Sequence, residues 1–163
     1  MLSIKSSNEI VIMREAGKIL SLIREKLSYF IKIGISTWDL DMIARDLMQQ
    51  YGVVSAFKNY KGFDGYTCIS VNEAIVHGLP TPNIILKLGD IVTIDIGIKY
   101  QNYYVDSAWT YTLGPVSDKI KKLLDDTEKS LFEGIKQVKP GNYVSDISIA
   151  IEKIGKLNNY GII

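Results

Sequence analysis

The chain has little of what many catalytic centres are built from. Its 163 residues hold a single cysteine, Cys68, and a single histidine, His77. One cysteine excludes an internal disulfide and agrees with a reducing compartment. There is no CxxC pair and no phosphate-cradling glycine motif, which removes zinc-ribbon and nucleotide-binding readings. A serine or cysteine nucleophile could find its base only in His77. Cys68 itself sits in the apolar run Thr67-Cys68-Ile69-Ser70-Val71, where an inert, buried thiol is expected. The net charge of +1 leaves no electrostatic footprint for nucleic acid. No apolar run approaches the roughly 20 residues of a membrane span. The opening MLSIKSSNEI shows no signal-peptide core, so the expectation is a soluble, cytoplasmic protein. Apolar residues make up 47% and charged residues 23%, a globular composition long enough for one domain or part of a larger one.

Periodicity and punctuation divide the chain. Ser6-x-x-Glu9 forms a capping box before the helical pattern Ile10, Met13, Ile19, Leu20, Ile23, Leu27 and Phe30; the helix is predicted to reach about Ile31, with Gly34 as its stop. Ser36 or Thr37 caps a second helix, Trp38–Tyr51, with Leu40, Ile43, Ala44, Leu47 and Met48 inward. Strands are predicted at Val53–Phe57 and Tyr66–Asn72, around a glycine- and aromatic-rich loop, Lys58–Gly65. Ser117 caps a third helix with Ile120, Leu123, Leu124, Leu131, Ile135 and Val138 inward, which Pro140-Gly141 stops. A fourth follows at about Val144–Leu157, showing Ile147, Ile151 and Ile154.

Two acids stand out between these elements. In Ile91–Ile98, Val92, Ile94, Ile96 and Ile98 alternate with Ile91, Thr93, Asp95 and Gly97. That period of two places Asp95 on the face opposite an aliphatic row. A turn at Lys99-Tyr100-Gln101-Asn102 pairs Ile98 with Tyr103 and sets Asp95 directly across from Asp106. Like charges so placed repel unless something positive lies between them. A divalent cation would satisfy them, and so would plain solvation at an exposed edge. His77, after the polar Asn72-Glu73 and before Gly78, reads either as structural or as a loop residue able to meet a substrate or a metal.

The helices also hint at a repeat. Lys32-Ile33-Gly34 with Asp39 recurs as Lys139-Pro140-Gly141 with Asp146, and Tyr51-Gly52-Val53 as Tyr160-Gly161-Ile162. Glycine recurs as a helix stop for its own conformational reasons, so coincidence is the competing explanation. If the repeat is real, its first copy continues into strands and its second does not.

Longer stretches carry a resemblance. Tyr66-Thr67-Cys68-Ile69-Ser70-Val71-Asn72-Glu73, His77-Gly78-Leu79-Pro80, Leu88-Gly89-Asp90-Ile91-Val92-Thr93-Ile94-Asp95 and Asp106-Ser107-Ala108 together resemble type I methionine aminopeptidase of the pita-bread metallopeptidases. The opening Ile4-Lys5-Ser6, Met13-Arg14-Glu15-Ala16-Gly17 and Val138-Lys139-Pro140-Gly141 match as well, so the similarity runs from about Ser3 through the chain. The resemblance implies an α+β fold, the N-terminal part of a pita-bread (creatinase/aminopeptidase) fold. Its antiparallel sheet carries helices on one face, and its second half lacks its strands. One incomplete catalytic domain would fill residues 1–163, with a first αβ half at about 1–113 and helices of the second at about 114–158.

The same resemblance implies removal of the N-terminal methionine from nascent proteins. Asp95 and Asp106 would hold metal, Asp106 bridging two divalent ions (Co, Mn, Fe or Zn), with a hydroxide between the ions attacking the first peptide bond. His77 falls on a substrate-contacting, catalytic histidine. Tyr60, Phe63 and Cys68 would line the methionine pocket, and Phe57 stands where close relatives often have cysteine. Partners would be N-terminal methionyl peptides, with a ribosome contact implied by the family. The family's remaining ligands, one histidine and two glutamates, have no counterpart in these residues, nor has a second assisting histidine. The expectation is therefore a chain inactive alone. The alternatives are a non-catalytic pita-bread fragment that binds a peptide or partner, and a half that pairs with another chain through an open sheet edge.

Overall fold

The computed structural model describes residues 4–162; the start of the similarity at Ser3 lies outside them. Two compact units follow one another, residues 1–115 and 116–163.

In the first unit, α1 (Ser7–Ser28) opens on the expected capping box: Glu9 N–H donates to Ser6 Oγ, and Ser6 N–H donates to the Glu9 carboxylate. It stops at Tyr29, earlier than Ile31, and Phe30 lies exposed beyond the end. Gly34 takes φ +90° in the connection rather than at the helix end. Ser36, not Thr37, caps α2 (Thr37–Gln50), with Asp39 reaching back to the cap.

The sheet is built on β3 (Ile91–Tyr100). One edge of β3 pairs with β4 (Tyr103–Thr112). Its other edge pairs with two short strands, β1 (Val54–Ser55) at one end and β2 (Cys68–Val71) at the other, and every pairing is antiparallel. Val92, Ile94, Ile96 and Ile98 are fully buried. They meet Leu20, Ile23 and Leu27 of α1 and Leu40, Ala44 and Met48 of α2, which form the core on that face. Arg24 of α1 stacks over the Trp109 ring at 5.1 Å and donates to Ser107 Oγ, which fixes α1 against β4. The α+β architecture, with helices on one face of an antiparallel sheet, is as expected.

Both short strands fall inside longer predicted runs. The residues before β2 leave the ladder because the N–H groups of Tyr66 and Thr67 donate to Asp41 of α2. The hairpin register also differs from the expected one. The turn is Gln101-Asn102, both residues left-handed (φ +45° and +68°), so Tyr100 rather than Ile98 pairs with Tyr103. Two successive left-handed residues make the tight connection whose twist suits a hairpin. The pairing is slipped by two residues from the predicted one. A slip of two keeps every side chain on its face, where a slip of one would invert them all.

The second unit is a helix pair, α3 (Asp118–Ile135) and α4 (Val144–Leu157). Gly134 allows the close approach: a Cβ there would lie 3.0 Å from Ile151 Cγ1. The inward faces predicted for these helices are not buried among the described residues. Leu123, Leu131, Ile135, Val138 and Ile151 are all exposed, and Gly134 is the one buried residue described in either helix. Two helices alone cannot bury both stripes; the amphipathic pattern records a surface for covering, not a covered one. The two segments aligned in the sequence share local geometry. Gly34 and Gly141 both take φ +90°, and Asp39 and Asp146 each accept from the backbone N–H of the cap residue before them. Among the described residues no helix is long and apolar enough to cross a membrane.

The contrast between the units is measurable. Ile23→Ala empties a fully buried position and is expected to cost about 2–5 kcal/mol. Leu131→Ala, at a position 43% exposed, is expected to cost less than about 1 kcal/mol. Both tryptophans, Trp38 and Trp109, lie in the first unit. Urea unfolding followed by tryptophan fluorescence should therefore shift for Ile23→Ala and stay put for Leu131→Ala.

Candidate active site

The polar face of β3 carries the candidate chemistry. Thr93, Asp95 and Gly97 lie opposite the buried aliphatic row, and the register sets Thr110, Ala108 and Asp106 of β4 beside them in that order. Asp95 therefore faces Ala108, and Asp106 faces Gly97. The acids are diagonal neighbours on one face rather than a direct pair. Diagonal positions lie about 7–8 Å apart between Cα atoms, still within reach of two carboxyl side chains. On its other side Asp95 is paired with Cys68 of β2.

The electrostatics agree with that closeness. Burial pushes the Asp95 carboxyl up to about 7, and the proton it then holds is shared in a hydrogen bond with Asp106, whose charge adds to the rise. Burial also pushes the Cys68 thiol up to about 11, helped by the charges of Asp95, Asp106 and Asp41. At neutral pH Cys68 is a protonated, apolar wall and not a nucleophile.

Gly97, beside the acids, leaves room for an aromatic ring to lie on the strand. A Cβ on Gly97 would lie 2.5 Å from Phe57 Cε1, so the Phe57 ring lies over this glycine. Phe57 thereby closes one end of the acidic face. It belongs to a loop that also carries Tyr60 and Phe63. Tyr60 opens a short 3-10 turn, Tyr60–Gly62, and is 64% exposed. Phe63 is half-buried and packs beside Gly65 and Pro80.

His77 lies across β2 from the acids. It is exposed and left-handed (φ +58°), and Gly78 after it accepts from Ile69 N–H on the β2 edge that faces away from β3. A Cβ on Gly78 would sit 2.2 Å from Ile69 O, so glycine is required for the segment to lie this close. His77 thus stands at the rim of the sheet, free of the core. The structure brings Asp95, Asp106 and Cys68 onto one face and leaves His77 and Tyr60 at its margins. Among the described residues no three His, Cys, Asp or Glu side chains converge as a metal cage.

One residue here was overlooked in the sequence. Asp41 of α2 is fully buried, and every group bonded to it is a donor: Tyr66 N–H, Thr67 N–H and the Thr67 hydroxyl. Burial raises its pKa, while the bonds from Tyr66 and Thr67 oppose the rise. The available signal was an aspartate inside the inward stripe Thr37, Asp41, Ala44, Met48, where a charge is out of place without donors.

Over all 163 residues the chain is 47% identical to methionine aminopeptidase 1 of Bacillus subtilis, spanning 65% of that protein's length. The structure superposes on the crystal structure of methionine aminopeptidase from Rickettsia prowazekii with a TM-score of 0.96 at 31% identity, covering 100% of this chain and 65% of that one. It matches the enzyme from Thermotoga maritima with a TM-score of 0.93 at 36% identity, covering 97% and 64%. Xaa-Pro dipeptidase from Bacillus anthracis, at 24% identity and a TM-score of 0.86, shares the fold. The family model for metallopeptidase family M24 matches residues 11–162, nearly the whole chain, and the chain belongs to that family.

Proposed function

We propose that this chain serves in metal-dependent removal of the N-terminal methionine from newly made proteins, by hydrolysis of their first peptide bond. The observation that carries the reading is the pair Asp95 and Asp106 on one strand face, in a chain similar along its whole length to methionine aminopeptidases. The donor set suits a divalent cation. Two carboxylates converge, and one is held protonated to about pH 7 largely by burial and its neighbour's charge, a conflict that a hard cation relieves. Oxygen donors of this kind accept Mn, Fe, Co or Zn.

Asp95 and Asp106 would hold the ions, two in the complete centre. Divalent ions bound there supply Lewis acidity, polarising the scissile carbonyl and lowering the pKa of the attacking water. His77, at the rim, donates to the substrate beside the peptide bond. Tyr60, Phe63 and Cys68, with Phe57 at the end of the face, form an apolar, polarizable wall that suits a thioether side chain. With only two acids on the face, we infer that the 163 residues by themselves bind metal weakly and hydrolyse nothing measurable.

Isothermal titration with Mn²⁺ tests the metal pair. Asp95→Asn and Asp106→Asn should each weaken binding by about tenfold or more, since a buried charge partner is lost. Affinity should climb as pH rises through about 7, where Asp95 gives up its proton. Equal Mn²⁺ affinity in wild type and both variants would sink the assignment, and robust turnover of a Met-Ala-Ser peptide by the purified chain would refute its inactivity.

The metal-free protein should show the matching stability trend. The folded pKa of Asp95 lies above its ordinary value of 3.8, so the folded chain keeps a proton that the unfolded chain has lost. This contribution is full below that ordinary value and is lost as pH rises through about 7. Urea midpoints should fall over that window in the metal-free wild type, and fall less in Asp95→Asn.

A further inference from the structure

The fully buried Asp41 has no part in the reaction as described, yet it sits at the root of the loop that carries Phe57, Tyr60 and Phe63. Tyr66 N–H donates to Asp41 Oδ1 at 3.0 Å, Thr67 N–H at 2.7 Å and the Thr67 hydroxyl at 2.8 Å. Tyr66 is held from its other side as well, because Ser55 Oγ donates to its carbonyl at 2.7 Å. The same Ser55 oxygen accepts from the N–H groups of Phe57 (3.0 Å) and Lys58 (3.2 Å). Further along, Asn59 N–H donates to Phe63 O at 2.8 Å, and Lys58 Nζ donates to Asp64 O and stacks over the Tyr66 ring at 5.0 Å. Residues 55–67 are therefore one closed loop. Its two ends are bound to each other through Ser55 and Tyr66, and Asp41 ties it to α2. Immediately past the tie comes Cys68, paired with Asp95.

Two adjacent backbone N–H groups and a hydroxyl aimed at one carboxyl make an anion nest, with the anion supplied by the protein itself. Bonds to a charged acceptor are stronger and more directional than neutral ones. A hydrophobic residue in this inward stripe would pack α2 equally well and would leave the loop free to swing. We propose that Asp41 is a positioning residue for substrate recognition: through Tyr66 and Thr67 it holds the aromatic loop against the strand face that carries Asp95, as one wall of the methionine site. This rests on the functional reading above and adds to it a residue that touches neither substrate nor metal.

The test uses the 163-residue chain and its Asp41→Asn variant, which keeps the shape and one acceptor oxygen but removes the charge. Three quantities are compared: amide hydrogen exchange by NMR, Mn²⁺ affinity by calorimetry, and binding of a Met-Ala-Ser peptide by NMR titration. The expected result is exchange about tenfold faster or more at Tyr66, Thr67 and residues 57–65, with Ile94 and Ile96 unchanged. Peptide binding should weaken by about tenfold while Mn²⁺ affinity stays within about twofold. Thr67→Val, which deletes one donor and leaves the carboxylate, should give a smaller change of the same kind and serves if Asp41→Asn fails to fold. A loop that loosens without loss of peptide affinity overturns the proposal. So does a parallel fall of peptide binding, Mn²⁺ binding and β3 protection, which would mark a general structural role. A wild-type chain that takes up Mn²⁺ but no methionyl peptide overturns the functional reading, and this inference with it. A wild type that binds the peptide no better than Asp41→Asn overturns the inference alone.

Discussion

The alternation along β3 governs everything else in the first unit. Each second residue, from Val92 to Ile98, is an aliphatic side chain pressed into α1 and α2, and burying such a row is worth about 1.5–3 kcal/mol per side chain. That commitment leaves the intervening residues no choice of face. Asp95 must look away from the core, Gly97 must lie beside it, and β4 must present Asp106 to the same side. The hydrophobic row thus aims the acids, and it does so on a strand bonded along both edges. A charged pair that repels needs such a rigid mount, because flexible side chains on a loose edge would drift apart.

How much of this could be read from the residues depended on whether the signal was local. The cap of α2 stayed open between Ser36 and Thr37, whereas the cap pair Ser6–Glu9, the bounds of α4 and the face of Asp95 are set by neighbours within a turn or by a simple period, and all were legible. The length of the hairpin turn was not, because Gln101-Asn102 and the four-residue alternative are both polar and both turn-like. Only the twist of the paired strands decides between them. The late start of β2 was likewise hidden: Tyr66 and Thr67 read as strand, and what draws them off the ladder is an aspartate 25 residues before Tyr66. The inward stripes of α3 and α4 were correctly periodic and yet not buried, since periodicity reports which face prefers cover and not whether cover is present.

The site is divided among unequal supports. Asp95 and Cys68 share the ladder and can hardly move. Phe57 is fixed by its contact with Gly97 and by the Ser55 hydroxyl. Tyr60 and His77 occupy left-handed or tightly turned backbone at the margin, where rearrangement is cheap. The face thus grades from a rigid polar floor to an adjustable rim.

The way the core closes also bears on how the protein comes into being. Every residue of the buried cluster lies between Leu20 and Leu113, so the first unit carries its whole core and can close it without α3 or α4. Synthesis proceeds from the N-terminus, and units fold in that order. The two acids belong to that unit and are placed when its sheet forms. The exposed apolar stripes of α3 and α4 emerge after that core. Any partner for those stripes meets a finished half and not a collapsing chain.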